Sequence, residues 1–199
     1  MDASQVLKQY FGYDSFRKGQ SDIIEAILQG QDALAIMPTG AGKSVCYQVP
    51  AMLLSGITIV ISPLISLMQD QVKSLNEAGI NAAYINSTLS EQQMYKALDY
   101  AAQGKYKIIY VAPERLETMS FMTFAQKADI SMVTIDEAHC ISQWGQDFRP
   151  SYLKIVDFID SLPERPVVSA FTATATSEVK TDIECILKLK SPKLLLLRS

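Results

Sequence analysis

The chain has 199 residues, 48% of them hydrophobic, and a net charge of −3 from 18 basic and 21 acidic side chains. That length gives one domain with a full core, and the charge balance excludes binding of nucleic acid through bulk basicity. No apolar run reaches bilayer-spanning length, and the first residues, MDASQVLKQY, have no signal-peptide profile, so the expectation is a soluble cytoplasmic protein without membrane contact. Cys46, Cys140 and Cys185 are far apart and His139 stands alone, which argues against disulfides and structural zinc.

In chain order, Val6 to Phe11 suits a short helix and Gly12-Tyr13-Asp14-Ser15 a turn. A helix is predicted from Phe16 to Gln29, with Ile23, Ile24, Ile27 and Leu28 on one stripe and Gly30 as its stop. Ala33 to Met37 suits a buried strand. It runs into Met37–Ser44, MPTGAGKS, and then into Val45–Val49, which can start a helix. A strand, a glycine turn and a helix N-terminus make an anion site, because the free N–H groups and the helix dipole point at the turn. Gly40 and Gly42 let the backbone wrap close to phosphate oxygens, with Thr39 and Ala41 as the intervening loop residues. Lys43 supplies charge for the β- and γ-phosphates, and the Ser44 hydroxyl is placed for Mg²⁺. The general phosphate-loop pattern asks for glycine where this chain has Met37. A dinucleotide-binding reading fails because its third small residue falls on Val45.

Strand-like runs follow at Ile57–Ile61, Ala82–Ile85, Lys107–Val111, Ser131–Ile135, Val167–Phe171 and Lys193–Leu197. Helical repeats lie between them. Leu64, Met68, Val72 and Leu75 form one stripe, and Ser90-x-x-Gln93 is a capping box ahead of a helix to about Ala102. Ile155, Phe158 and Ile159 mark another helix, and Val179, Ile183, Ile186 and Leu187 the last. Alternating strands and helices, with continuously apolar strands, give an α/β fold. Its sheet is mostly parallel with helices on both faces, and ligands sit at the carboxyl ends of the strands.

The run Met132–Ile135 ends in Asp136-Glu137-Ala138-His139, which puts two acids at the same sheet edge as the glycine loop. Asp136 can hold Mg²⁺, and Glu137 can orient and deprotonate an attacking water. The pair reads as part of a nucleoside-triphosphate hydrolysing site.

These residues carry a resemblance. Asp136-Glu137-Ala138-His139 matches motif II of superfamily 2 helicases. With Cys140 to Pro150, CISQWGQDFRP, it resembles the RecQ family of DNA helicases. Phe11-Gly12-Tyr13 with Phe16 to Gln20 resembles the family's adenine motif, Ser62 to Gln71 its motif Ia, Ala112 to Leu116 its motif Ib, and Thr172 to Ala175 its motif III. The resemblance covers nearly the whole chain. It implies a RecA-like three-layer sandwich of the P-loop NTPase class. Residues 1–199 are then one ATP-binding domain, with 1–30 as the adenine-motif segment. ATP and Mg²⁺ are the implied cofactors. Single-stranded and partly duplex DNA and a second RecA-like domain, absent from this chain, are the implied partners.

The same resemblance implies 3′ to 5′ movement in repair and recombination, with the fragment alone unable to unwind. The expected location is cytoplasmic, associated with the nucleoid in a bacterium, or nuclear in a eukaryote. An RNA helicase and a non-hydrolysing ATP-gated module are the rival readings, and Glu137 argues against the second.

Gln20 has the amide to pair with the adenine edge, and Tyr13 and Arg17 are planar groups suited to the base or nucleotide. Their bland alternative is helix capping and solvation. Ser62 and Ser66, at a strand end and a helix start, suit a DNA phosphate or a plain cap. Thr172 and Thr174 suit a link from the Asp136–His139 segment to the DNA side. Trp144 is either a packed anchor or a stacking platform, with Phe148 and Arg149 beside it. Where the family usually has histidine, this chain has Gln146, which cannot carry a proton.

Overall fold

The computed structural model describes residues 1–198. Seven strands form one parallel sheet: β1 (Ala33–Ile36), β2 (Ile57–Ile61), β3 (Ala82–Ile85), β4 (Ile108–Val111), β5 (Ile130–Ile135), β6 (Val167–Thr172) and β7 (Lys193–Leu196). Their order across the sheet is β3-β4-β2-β5-β6-β1-β7. β5 sits between β2 and β6, with Val133 opposite Ile59 and Val168.

The helices are α1 (Ala3–Val6), α2 (Gln20–Leu28), α3 (Lys43–Leu53), α4 (Ile65–Glu77), α5 (Glu91–Ala102), α6 (Met119–Lys127), α7 (Ile155–Ser161) and α8 (Ser177–Ile186). Strand residues alternate between the two faces. Ala33, Ala35, Val60, Tyr110 and Phe171 pack with α2, α3 and α4. Leu34, Ile59, Ile61, Val133 and Ala170 pack with α5, α6, α7 and α8. Both faces are therefore apolar, as the unbroken strand runs require.

The N-terminal expectations need correction. The helix predicted from Phe16 starts at Gln20, because Gly19 takes a left-handed φ of 86° and breaks the turn before it. The helix predicted from Val6 to Phe11 begins at Ala3 and ends in a π-helical turn over Leu7–Phe11. Asp2 and Gln5 form a reciprocal capping box that starts it early. Helix α6 was not foreseen. Its apolar positions, Phe121, Phe124 and Ala125, have helical spacing but cover barely two turns.

Candidate nucleotide site

The carboxyl ends of β1 and β5 open on a cleft of about 480 Å³ lined by the glycine loop, Tyr13, Arg17, Gln20, Tyr47, Gln71, Asp136 and Glu137. The larger cavity, about 690 Å³, lies at the opposite sheet edge between α5 and α6 and contains none of the predicted site residues. Gly40 and Gly42 take φ of 87° and 83°, and a Cβ on Gly42 would stand 2.3 Å from the Gln20 amide nitrogen. Glycine is required there both for the backbone and for the space. Lys43 opens α3, so its amide and that of Ser44 belong to the free N-terminal turn.

Arg17 and Gln20 latch onto the loop. The Arg17 guanidinium donates to the Gly40 carbonyl. The Gln20 amide accepts from the Arg17 N–H at 2.8 Å and donates to the Gly42 carbonyl at 3.0 Å. Gln20 is thus buried against the loop, and Tyr13, 52% exposed, is the open aromatic at the cleft mouth. Sequence reasoning missed a polar layer beneath the loop. The Tyr47 and Tyr110 hydroxyls are 2.7 Å apart, and the Gln48 amide donates to Tyr110 Oη and to Gln71 Oε1. Gln71 brings α4 into the cleft wall. Its place in the motif Ia resemblance was the available signal.

At the end of β5, burial and the neighbouring Glu137 push the Asp136 carboxyl from 3.8 up to about 6, with Lys43 acting in the opposite direction. Glu137 has a left-handed backbone, φ 51°, which costs roughly 1–2 kcal/mol for a non-glycine residue. Its N–H donates to Asp136 Oδ1 at 2.9 Å. His139 Nδ1 lies 2.7 Å from Thr172 Oγ1 and 3.5 Å from Glu137 Oε2. The Thr172 hydroxyl also lies 3.1 Å from the Thr174 carbonyl, so it joins His139 to the segment after β6. The link from this segment to the end of β6 is therefore present. Thr174 joins it through its carbonyl.

The remaining predicted residues lie around the same sheet edge. Ser62 is buried, with its hydroxyl 3.5 Å from the Leu64 N–H, while Ser66 is exposed on the first turn of α4. The segment from Cys140 to Arg149 is closed at its base by the Arg149 N–H donating to the Cys140 carbonyl at 2.8 Å. Trp144 stands out of it, 76% exposed, which removes the packed-anchor alternative. Phe148 is half-buried, Arg149 pairs with Asp147 at 3.3 Å, and Gln146 is exposed beside Trp144. Ser142 donates to Asp182 at 2.7 Å and ties the segment to α8. His139, Cys140 and Asp147 come together here, and burial with Asp147 pushes the Cys140 thiol up to about 12, so the free thiol stays protonated.

The arrangement offers a cationic loop and two carboxylates on one cleft, the parts needed to hold a triphosphate and activate water. Comparison with known proteins identifies the family. A family profile described as DEAD/DEAH box helicase matches residues 17–182. The chain is 55% identical over 182 residues to the ATP-dependent DNA helicase RecQ of Bacillus subtilis, a match covering 91% of this chain and 31% of that protein. It is 48% identical over 189 residues to the Haemophilus influenzae protein of the same name, covering 95% of this chain and 30% of that protein. It therefore spans about a third of the length of the curated relatives it matches. Among solved structures, the DUF1998 helicase MrfA bound to DNA and AMPPNP superposes with a TM-score of 0.74 at 16% identity, over 100% of this chain and 29% of that one. A hypothetical ATP-dependent RNA helicase from Sulfolobus tokodaii superposes at 0.73 and 20% identity, over 98% of this chain and 56% of that one. These two share the fold.

Proposed function

The chain belongs to the DEAD/DEAH box helicase family and stands with the RecQ helicases within it, and on that footing we propose that it is the first motor domain of an ATP-dependent DNA helicase. The observation that carries this is the shared cleft: Lys43, Asp136 and Glu137 face one another across it. Lys43 neutralises phosphate charge. Glu137, held by its left-handed turn and by His139, accepts the proton of the attacking water.

Mg²⁺ fits the donors present, since Ser44 and Asp136 offer hard oxygens and the raised Asp136 carboxyl needs a stronger cation than Lys43 alone. Held by Ser44 and Asp136, the ion would supply positive charge to neutralise charge developing on the phosphate. Tyr13, Arg17 and Gln20 border the position of an adenine, and Gln20 must exchange its Gly42 bond to read it. Exposed Trp144 suits base stacking on single-stranded DNA. Movement 3′ to 5′, a role in repair and recombination, and a second RecA-like domain completing the cleft complete the proposal.

ATP turnover by the full-length protein, with single-stranded DNA or RNA added, tests it. DNA should stimulate and RNA should not. Glu137→Gln should keep ATP binding and lose about 10²-fold or more in turnover. Equal stimulation by RNA would point to the RNA-helicase alternative, and normal turnover by Glu137→Gln would remove its role. Residues 1–199 alone should turn over negligibly, since an arginine contributed to the cleft by the proposed second domain would be worth about 10³ to 10⁵ in rate.

A further inference from the structure

The peptide joining Asp136 to Glu137 is held on both sides. Its N–H donates to Asp136 Oδ1 at 2.9 Å, and its carbonyl accepts from the Tyr152 hydroxyl at 2.8 Å. A carbonyl cannot donate, so the direction of the second bond is fixed. Tyr152 is fully buried, so this bond is shielded from solvent. The bond falls on the residue that precedes Glu137, whose left-handed φ of 51° needs outside support.

Tyr152 also sits at the exit of the Trp144 loop. Its N–H donates to the Arg149 carbonyl at 2.9 Å, and the Arg149 N–H closes the loop on Cys140 at 2.8 Å. Two paths therefore lead from the loop to Glu137. One is the backbone through Ala138 to Cys140. The other is the Tyr152 side chain, which returns from the far end of the loop and bypasses that backbone.

We propose that Tyr152 is a positioning residue that holds the Asp136–Glu137 peptide in its turn and passes movement of the Cys140–Arg149 loop to the Glu137 carboxylate. This rests on Glu137 acting as the proton acceptor in the proposed hydrolysis. Tyr152→Phe keeps the ring and its packing and deletes only the donor.

In the full-length protein, ATP turnover is measured for wild type and Tyr152→Phe, with and without a single-stranded oligodeoxynucleotide. The expected result is a fall of about tenfold or more in the DNA-stimulated kcat, since small misplacement of a reacting group is costly. The KM for ATP should stay within about twofold, and the ratio of stimulated to basal rate should fall. A merely structural role would lower the melting temperature and scale both rates together, leaving the ratio unchanged. An unchanged ratio overturns the proposal for Tyr152. Wild type that shows no DNA-stimulated turnover overturns the proposed function, and this inference with it.

Hydrogen exchange on the wild-type protein gives a second reading that survives if Tyr152→Phe fails to fold. Added DNA should alter protection of residues 136–138 and 150–153 together with the loop. Protection that changes in the loop but not at 136–138 contradicts the proposal.

Discussion

Asp32, at the amino-end edge of the sheet, and Asp136, at the carboxyl-end edge, are both drawn in from solvent but have opposite surroundings. Asp32 is 2% exposed and accepts from four N–H groups: two from the Arg165 guanidinium at 3.0 and 2.7 Å, one from Val168 at 3.0 Å and one from Lys190 at 2.8 Å. Asp136 has one backbone donor, a like charge in Glu137 and a carboxyl raised to about 6. At the amino-end edge Lys107 is likewise satisfied, donating to the Leu54 and Gly56 carbonyls. A carboxylate fully solvated by protein donors clamps structure, whereas one left short of donors is ready for a ligand. The sheet separates its stable edge from its reactive one.

Asp32→Ala is the strongest way to break this contrast. It strands the Arg165 charge, the buried Val168 amide and the Lys190 amide, and should cost about 3–5 kcal/mol, read from urea or thermal unfolding. A loss below about 1 kcal/mol would mean that water replaces the clamp easily.

Asp136→Asn should do the reverse in chelator-treated protein. Between pH 3.8 and about 6 the unfolded chain has released this proton while the folded chain still holds it, so wild-type stability falls as pH rises through that window. The variant lacks this penalty. Near neutral pH it should be more stable by up to about 3 kcal/mol, with the gain shrinking toward pH 4. Melting curves across that range check it, and a destabilised variant would place Asp136 in the same class as Asp32.

Trp144→Ala should have the smallest effect on folding, within about 0.5 kcal/mol, because the side chain is mostly in solvent. DNA stimulation of ATP turnover in the full-length protein should nevertheless drop. A large fall in melting temperature would show that the loop belongs to the stable edge after all.

The strands were legible because each is an apolar run with turn residues at its ends, and the glycine loop because its chemistry is local. The Asp136–Glu137 pair was legible for the same reason. What escaped depends on distant partners. Tyr152 has no motif of its own, and its role comes from a carbonyl 16 residues back. Tyr47, Tyr110 and Gln48 are ordinary helix and strand residues until the fold stacks α3 on β4. Gln20 was read as open to a ligand, and only the approach of the loop shows that its amide is already engaged. Helix α6 was too short for its spacing to stand out against the neighbouring loop.

The strand order has a consequence for how the protein emerges from the ribosome. β1 is the first strand made, yet its two neighbours in the sheet, β6 and β7, are the last. The Asp32 carboxylate beside it waits for Val168, 136 residues later, and for Lys190, 158 residues later. β2, β3, β4 and β5 can pair among themselves while β1 still has both edges free. Such long-range closure is slow, and an unpaired apolar strand is prone to stray pairing. The glycine loop that follows β1 is therefore translated early and takes its working position late, so nucleotide binding during synthesis must await β6 and β7.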